Sequence, residues 1–442
     1  MKNLFLLIFT IGAFFTASAQ VTSIIHSIPE KPGSSLIRYN PTTGHHVTFS
    51  GNGTGELHFT TSNLLSTTVD VAIPIHCSIN DFDILDNYVF FCGKSEGGNG
   101  LFGWFKIGGD EANASDVYID TSLNGLAIDE LIDIEAYYLW GNLNIAGYGI
   151  ENHPSGAIRY KYINIYGTPG LWMTACSGDL PLTITDMDVT ETKAVYVGYL
   201  PSGEMALVPF TKNPFGGTGK FYTFHLSSTN STEPYDPTPL TLKVAHTYYD
   251  NFVTIAYQEE TYAYAAPNYH LTVREYKASN YIPMLRAFRM QCPQPFNQIK
   301  ECQYDSIGEN LYILNSSSAI PSSPNSLEGV SKINLSAFPT NLIETDLVLS
   351  NLSPMSLTLP SSGHYTVCGH NTANGSSFVW QDEYYSVTQQ PCTDKVIREN
   401  TIVNTVNENE VLWNSNISSA VVLSPIILHP TVTYTACEPI CP

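Results

Sequence analysis

The chain has 442 residues and a formal net charge of −21, and only 13% of its residues are charged, against roughly 25% in an average soluble domain. This acidic balance argues against nucleic acid as a partner, because binding to phosphates depends on Lys and Arg side chains. Hydrophobic residues make up 43% of the chain, which is enough to build a large core.

The first 19 residues have the pattern of a secretory signal peptide. Lys2 precedes an apolar run from Leu4 to Phe15, and Ala17-Ser18-Ala19 matches an A-x-A cleavage site. The run is too short to span a bilayer, and no later segment reaches about 18 uninterrupted apolar residues, so we expect no membrane insertion. We therefore predict an exported protein (periplasmic, cell-surface or secreted) whose mature chain starts at Gln20.

All nine cysteines follow this leader, and in an exported protein they are expected to form disulfides. The pairs closest in sequence are Cys77–Cys92, Cys292–Cys302 and Cys437–Cys441. Spacing does not determine the connectivity, and an odd count leaves at least one thiol without an intramolecular partner. No C-x-x-C pair occurs, which argues against a structural zinc site.

Short segments of alternating polarity, separated by Gly, Pro, Asn and Asp, recur along the mature chain, and no helical periodicity is sustained. The clearest unit runs from Ile79 to Gly93. An alternating run ends at the turn pair Asp86-Asn87, and an apolar run from Tyr88 to Cys92 follows. This pattern predicts two antiparallel strands joined by a tight turn, and it indicates an all-β fold.

Copies of the second strand of this unit recur at a regular period. Their middle residues lie 51 to 59 residues apart, at Cys92, Ala146, Val197, Ala256, Leu314 and Cys368. Each copy follows a polar turn and precedes a third strand-like run, after which comes a fourth, more variable run. The period is close to that of propeller blades, roughly 40 to 50 residues each, so four antiparallel strands per repeat predict a β-propeller.

Six repeats are internal, and a seventh is inferred from the two ends of the chain. Thr401 to Val403 and Val411 to Trp413 resemble first and second strands, and a strand at Leu36 to Tyr39 would complete their blade. Such a closure hides two sheet edges. We favour seven four-stranded blades closed by N- and C-terminal strands, with six blades as the alternative. The single propeller domain covers residues 20–442, with an irregular tail from about residue 417.

The first strand of each propeller blade lines the central channel, so polar side chains on these strands are candidate ligand-binding positions. Asp81 and Asp83 align with Asp186 and Asp188 when positions are counted back from the second strand of each repeat. Asp133 and Glu135 lie two residues earlier in their own repeat, which keeps them on the same face of the strand. Three further candidates come from later repeats. The full set is Asp81, Asp83, Asp133, Glu135, Asp186, Asp188, His246, Tyr304 and Asp305.

The acidic residues have three interpretations. Several carboxylates can ligate Ca²⁺, which is the one cofactor considered, although no EF-hand-like pattern is present. Two carboxylates can also form a glycosidase pair. We favour the third interpretation, in which the carboxylates accept hydrogen bonds from backbone N–H groups or Tyr hydroxyls of neighbouring blades.

Tyrosine clusters are candidates for an exposed binding face, because Tyr combines an apolar ring with a polar tip that suits sugars and proteins. The clusters are Tyr248-Tyr249, Tyr262-Ala263-Tyr264 and Tyr384-Tyr385. Packing between blades would use the same side chains, and we favour that explanation.

The period and the four-strand pattern resemble the β-propeller superfold over residues 33 to 415. The chain is similar to divergent exported bacterial propellers without an assigned activity, because it has no Trp-Asp pair closing the blades and no kelch-type Gly-Gly doublet in register. No G-x-S-x-G or H-E-x-x-H motif is present. Since fold alone does not determine function, we expect a non-catalytic module that binds protein or glycan through a propeller face. The alternative is a carbohydrate-active hydrolase or lyase that uses channel carboxylates.

Overall fold

The structure is a computed structural model that describes most of the chain after the leader. The described residues are 24–32, 35–62, 67–107, 116–169, 172–201, 203, 205–211, 218–225, 236–249, 251–261, 268–277, 284–292, 298–316, 329–336, 342–347, 352–381, 394–399, 401–402, 407–414, 419–436 and 438–441.

Within these ranges the regular structure is β-strand apart from one short 3-10 helix, Ser122–Leu126, and the strands form seven five-stranded sheets. The all-β prediction is confirmed. Among the described residues, no helix is long and apolar enough to cross a membrane.

The first strand, Ile24–Pro32 (β1), belongs to the last sheet, and the strands that follow it form antiparallel sheets in chain order. Sheet 1 contains Leu36–Asn40 (β2), His45–Ser50 (β3), Leu57–Ser62 (β4) and Thr67–Ile73 (β5). Sheet 2 contains Cys77–Leu85 (β6), Tyr88–Ser95 (β7), Gly100–Lys106 (β8) and Val117–Asp120 (β9). Sheet 3 contains Glu130–Leu139 (β10), Asn142–Asn152 (β11), Ile158–Thr168 (β12) and Trp172–Leu180 (β13).

The next four sheets follow the same order. Sheet 4 contains Thr183–Val189 (β14), Lys193–Tyr199 (β15), Met205–Thr211 (β16) and Thr218–His225 (β17). Sheet 5 contains Asp236–His246 (β18), Asn251–Thr261 (β19), Asn268–Lys277 (β20) and Met284–Cys292 (β21). Sheet 6 contains Gln298–Asp305 (β22), Asn310–Ser316 (β23), Gly329–Asn334 (β24) and Leu342–Leu347 (β25). Sheet 7 contains Leu352–Ser361 (β26), His364–Asn371 (β27), Ser376–Gln381 (β28) and, as its fourth strand, β1.

The last strands of the chain, which we call the C-terminal series, each add a fifth strand to one sheet. They are Asp394–Glu399 (β29), Thr401–Ile402 (β30), Asn407–Asn414 (β31), Ser419–Val422 (β32), Ile426–Leu428 (β33), Thr431–Ala436 (β34) and Glu438–Cys441 (β35). The series visits the sheets in reverse order, from sheet 6 to sheet 1, and ends with β35 beside β1 in sheet 7.

This arrangement corrects several predictions about the ends of the chain. Thr401 to Val403 and Val411 to Trp413 do not start a blade, because β30 pairs with the outer strand β21 and β31 with β17. Leu36 to Tyr39 lies in β2, the first strand of sheet 1, and the N-terminal strand that closes sheet 7 is β1. The sheets have five strands, not four, and the tail beyond residue 417 forms β32 to β35.

Buried apolar side chains form separate clusters, each between two neighbouring sheets. Phe59 of sheet 1 packs against Phe82 of sheet 2 with ring centroids 5.5 Å apart. A small cluster of Ile37, Cys368 and Val379 joins sheet 7 back to sheet 1. The first strands contact one another in the order β2, β6, β10, β14, β18, β22, β26 and again β2. The arrangement is compatible with a propeller-like fold.

Among the described residues, two of the three disulfides expected between cysteines close in sequence are absent. Cys77, Cys92, Cys302 and Cys368 are buried free thiols, so the Cys77–Cys92 and Cys292–Cys302 pairs are wrong. The register of β6 and β7 explains the first error, because it pairs Cys77 with Ser95 and Cys92 with Asp81. Cys437, in the third predicted pair, lies outside the described residues.

Candidate functional site

The first strands of sheets 2 to 7 share a β-bulge that precedes the side chains facing their common centre. A bulge adds one residue to a strand and re-aims the side chains that follow it. In β6 the register shifts between Ile79 and Asp81, and in β10 it shifts between Leu131 and Asp133. Asp133 therefore occupies the position in sheet 3 that Asp81 occupies in sheet 2.

A cavity of about 320 Å³ lies where the first strands meet, and every one of these strands contributes to its wall. Most of the predicted site residues line it: Asp83, Asp133, Glu135, Asp186, Asp188, His246 and Tyr304. Asp83, Asp188 and Tyr304 lie one or two residues before their strands end, so the cavity lies towards the hairpin turns that join first to second strands.

The other two predicted residues lie outside the wall of this cavity. Asp81 is buried beside it and is held by an ion pair. Asp305 caps the turn after β22, where its carboxylate accepts N–H bonds of 3.0 Å from Gly308 and Gly363 and a hydroxyl bond of 2.9 Å from Ser362. Although burial opposes its charge, these bonds lower the pKa of Asp305. Its role is to fix the turn.

The carboxylates of sheet 2 hold the backbone of sheet 3. The Ile134 N–H donates to Asp81 Oδ2 at 3.3 Å, and the Ala136 N–H donates to Asp83 Oδ2 at 2.7 Å. Buried backbone donors need partners, so these bonds join neighbouring first strands as well as orienting the acids.

Sheet 4 repeats the arrangement on sheet 5. Asp186 Oδ2 accepts the Val244 N–H at 2.9 Å, and Asp188 Oδ2 accepts the His246 N–H. The favoured interpretation, hydrogen bonding to the backbone of a neighbouring sheet, is therefore confirmed for the acidic pairs of sheets 2 and 4.

Arg38 was missed in the sequence, yet it joins three sheets at the cavity. Its guanidinium lies 2.7 Å from Asp81 Oδ1 and 3.0 Å from Glu301 Oε1. Burial alone would lower the pKa of Arg38, but the two carboxylates outweigh burial and raise it, so the side chain stays charged. The signal was hidden because β2 was not recognised as a first strand.

Lys243 was also missed, and it neutralises the far end of the acidic wall. Its Nζ lies 3.0 Å from Asp186 Oδ1. Lys243 lies two residues after Thr241, where the bulge of β18 ends, just as Asp83 lies two residues after Asp81 in β6. An alignment based on the strand register would therefore have found Lys243.

Asp133 and Glu135 lie between the two acidic pairs and lack comparable partners. Within the part of the chain that the structure describes, neither makes an ion pair or accepts a backbone hydrogen bond. Burial raises the pKa of Asp133 well above its ordinary value, and Asp81 and Asp186 raise it further. Burial likewise raises the pKa of Glu135, with added contributions from Asp83 and Asp188. Asp133 shares a side-chain hydrogen bond with Asp81.

The flanking acids are shifted less because they have partners. Burial raises the pKa of Asp83 to about 6, against lowering contributions from the Ala136 N–H and Arg38. Burial also raises the pKa of Asp186 to about 6, against Lys243 and the Val244 N–H. The cavity therefore combines two neutralised ends with an acidic middle.

The geometry does not support the calcium hypothesis. Among the described residues, no three His, Cys, Asp or Glu side chains are arranged to hold a metal ion. Most of the acids already have their oxygens occupied by N–H donors, which leaves few ligands for the six to eight oxygens that calcium requires.

Exposed apolar side chains lie on or beside the hairpin turns that join first to second strands, and we call them the turn rim. They are Tyr138, Trp140, Tyr248, Tyr249 and Ile307, each more than half exposed. Trp140 is 82% exposed and Ile307 83%. Packing between blades, the favoured explanation for the tyrosine clusters, is therefore wrong for Tyr248-Tyr249. The clusters at residues 262–264 and 384–385 lie outside the described residues.

The turn rim is tied to the acidic strands. The Tyr138 hydroxyl donates to Asp86 in the turn of sheet 2. The Glu191 N–H, in the turn of sheet 4, donates to the Tyr249 carbonyl at 3.2 Å, and His246 Nε2 lies 2.6 Å from the same oxygen. The turns of sheets 2 and 3, and those of sheets 4 and 5, are thus joined in pairs.

Two rim aromatics have an unusual backbone. Trp140 and Tyr249 both have φ of 51°, in the left-handed region. Trp140 and Gly141 form a two-residue hairpin turn in which both φ angles are positive, a turn that usually carries Asn-Gly. A bulky residue in this region is a genuine outlier, and such outliers concentrate at functional sites.

No protein-family model matches the chain, and a search of curated proteins finds no match.

Proposed function

We propose that the seven sheets close into a seven-bladed propeller that serves as an exported, non-catalytic binding module. Its ligand, a protein or a glycan, docks on the turn rim around the mouth of the acidic cavity. The cyclic order of first-strand contacts and the apolar cluster between sheets 7 and 1 support the closed ring. The leader at residues 1–19 supports export.

The observation that carries this proposal is the pair Trp140 and Tyr249. Each of these residues has a left-handed backbone conformation in a turn, and each exposes a large aromatic side chain to solvent. Neither an aromatic residue with a left-handed backbone nor its exposure to solvent helps folding. Asn or Gly would relieve the backbone strain, and a polar side chain would suit the exposed position. Exposed Trp and Tyr are the residues most enriched at the centres of binding interfaces.

The alternative, a carbohydrate-active hydrolase or lyase, depends on Asp133 and Glu135, since the carboxylates of Asp81, Asp83, Asp186 and Asp188 are occupied by backbone donors. Asp133 and Glu135 project from one strand in the same direction. A glycosidase pair must instead flank the scissile bond from two sides. We therefore favour binding.

The test uses the double variant Trp140→Asn/Tyr249→Asn in a glycan array and a pull-down with the mature protein. Because Asn tolerates a left-handed backbone, we expect the variant to be as stable as the parent or about 1 kcal/mol more stable, and to lose the captured ligand.

The control is Ile158→Asn, which removes an exposed apolar side chain at the start of β12, away from the first hairpin turns. Retention of every ligand by the double variant would contradict the proposal. Cleavage of a carbohydrate that disappears in Asp133→Asn would favour the hydrolase.

A further inference from the structure

We propose that the ligand of the turn rim is a basic segment of a partner protein, with one Lys or Arg side chain entering the acidic cavity. This inference rests on the proposed binding function and names its partner class. The rim supplies the contact area, and the charge of the cavity selects the residue that enters.

The charge of the cavity favours a cation. Arg38 and Lys243 each neutralise a carboxylate at the ends of the wall, with contacts of 2.7 and 3.0 Å. Between these ends, Asp133 and Glu135 form no ion pair among the described residues, and the charges of Lys243 and Arg38 lower their raised pKa values only in part. An ammonium or guanidinium group from outside would supply the missing charge and hydrogen-bond donors together.

The depth of the cavity suits a long, flexible side chain. Asp83 lies two residues before the end of β6, about 7 Å along the strand from the turn, and it accepts the Ala136 N–H, so the neighbouring Glu135 lies at a similar depth. Asp133 lies deeper, because the adjacent Ile134 N–H donates to Asp81, which is four residues, or about 13 Å, before the end of β6. Lys and Arg carry their charge at the end of an apolar stem of several carbons, which can pass the rim while the charge reaches the carboxylates.

The shape of the turn rim favours a protein over a glycan. The rings of Tyr248 and Tyr249 meet at 73°, so they do not present one flat platform for a sugar ring. Ile307, the most exposed rim residue, is aliphatic. A mixture of Trp, Tyr and aliphatic side chains around a charged centre is the composition of protein interfaces.

The experiment measures fluorescence anisotropy of labelled hexalysine and hexaarginine on the mature protein. Hexaglutamate is the charge-reversed probe, and hexamers of glucosamine and N-acetylglucosamine are the glycan probes. We expect both basic peptides to bind. We expect Asp133→Asn/Glu135→Gln, and Glu135→Gln alone, to weaken their binding, the double variant by at least about tenfold, or about 1.4 kcal/mol.

The matched control is Glu56→Gln/Glu96→Gln, which removes the same charge from two exposed acids on turns between second and third strands. Binding to this control within twofold of the parent supports the inference. Equal weakening in both double variants overturns it, because the overall charge of −21 would then account for the attraction.

Different results would contradict the basic-segment inference and the proposed binding function. If a glycan hexamer binds, is lost in Trp140→Asn/Tyr249→Asn and is unaffected by Asp133→Asn/Glu135→Gln, the basic-segment inference is wrong and the binding function stands. If the basic peptides bind equally well to the rim double variant, the turn rim is not the docking surface and the proposed function fails with the inference. Circular dichroism of each variant establishes that the comparison is between folded proteins.

Discussion

At the residue scale, Asp133 and Glu135 occupy positions that lower the stability of the folded protein. Folding brings both carboxyls beside other acids and removes much of their water, which raises the pKa of each. A raised pKa means that the folded state holds the ionised form at a cost of about 1.4 kcal/mol per pKa unit. Costs of this kind concentrate at functional sites, which agrees with a role in binding.

This cost predicts a pH-dependent difference in stability. We expect Asp133→Asn/Glu135→Gln to raise the free energy of unfolding at pH 7.5 by about 1 kcal/mol or more. Asn and Gln cannot ionise, so they avoid the repulsion. Because a raised folded-state pKa makes the folded protein bind more protons, its stability falls as pH rises through the interval between the unfolded and folded values.

For Asp133 and Glu135 this interval begins at the ordinary pKa values of 3.8 and 4.5 and extends well above them. The advantage of the variant is therefore expected to shrink as the pH is lowered to 5. Urea unfolding at pH 7.5, 6 and 5 measures the difference in the free energy of unfolding between the variant and the parent, with Glu56→Gln/Glu96→Gln as the charge-matched control. A variant less stable than the parent at pH 7.5 would contradict the repulsion argument.

At the scale of the element, the first two strands of a sheet depend on a close backbone approach at the bulge. Gly93 of β7 pairs with Ile79, immediately before the bulge of β6. A Cβ atom at Gly93 would lie 1.8 Å from the Ser78 carbonyl oxygen, and one at Gly198 would lie 1.9 Å from the Thr183 carbonyl oxygen. The glycines at these second-strand positions thus allow the bulge that aims the acids.

We expect Gly93→Ala to lower the free energy of unfolding by roughly 2–4 kcal/mol, because the backbone of β6 must shift to admit the methyl group. Thermal unfolding followed by circular dichroism measures the loss. Gly97→Ala is the control, since its nearest neighbours are 3.8 Å away and its turn can hold a methyl group. Equal unfolding temperatures for the two variants would show that the approach is looser than the structure indicates.

The sequence contained the hairpins but not their register. The Ile79 to Gly93 unit matches β6 and β7, because alternation and turn residues are local signals. A bulge has no composition of its own, so the equivalence of Asp133 with Asp81 followed only from the paired strands. Lys243 was missed for the same reason, whereas Arg38 was missed because β2 was not recognised as a first strand. The Tyr248-Tyr249 pair was misread because exposure depends on the packed sheets.

At the scale of the whole molecule, the pairing of the C-terminal series could not be predicted from the sequence, because its strands pair with partners far away in the chain. The series covers the outer edge of each sheet in turn, and β35 ends against β1, the other end of the chain. Side chains help to hold it: the Ser424 N–H donates to the buried Asp120 carboxylate, and His429 Nδ1 lies 2.8 Å from Asp116 Oδ1. An uncovered strand edge invites pairing with other chains, so this cover protects every sheet.

Stepwise truncation tests whether the C-terminal series protects the outer edges of the sheets. Removing residues 437–442 deletes β35 and uncovers β1 in sheet 7, and removing residues 431–442 also deletes β34 and uncovers β5 in sheet 1. We expect the unfolding temperature to fall at each step, because the ladder hydrogen bonds of one strand are lost each time. We also expect the longer deletion to form soluble aggregates through the newly exposed edges. Calorimetry and size-exclusion chromatography measure both effects, and a longer deletion that stays monomeric with the parent's unfolding temperature would show that the sheets do not need their fifth strands.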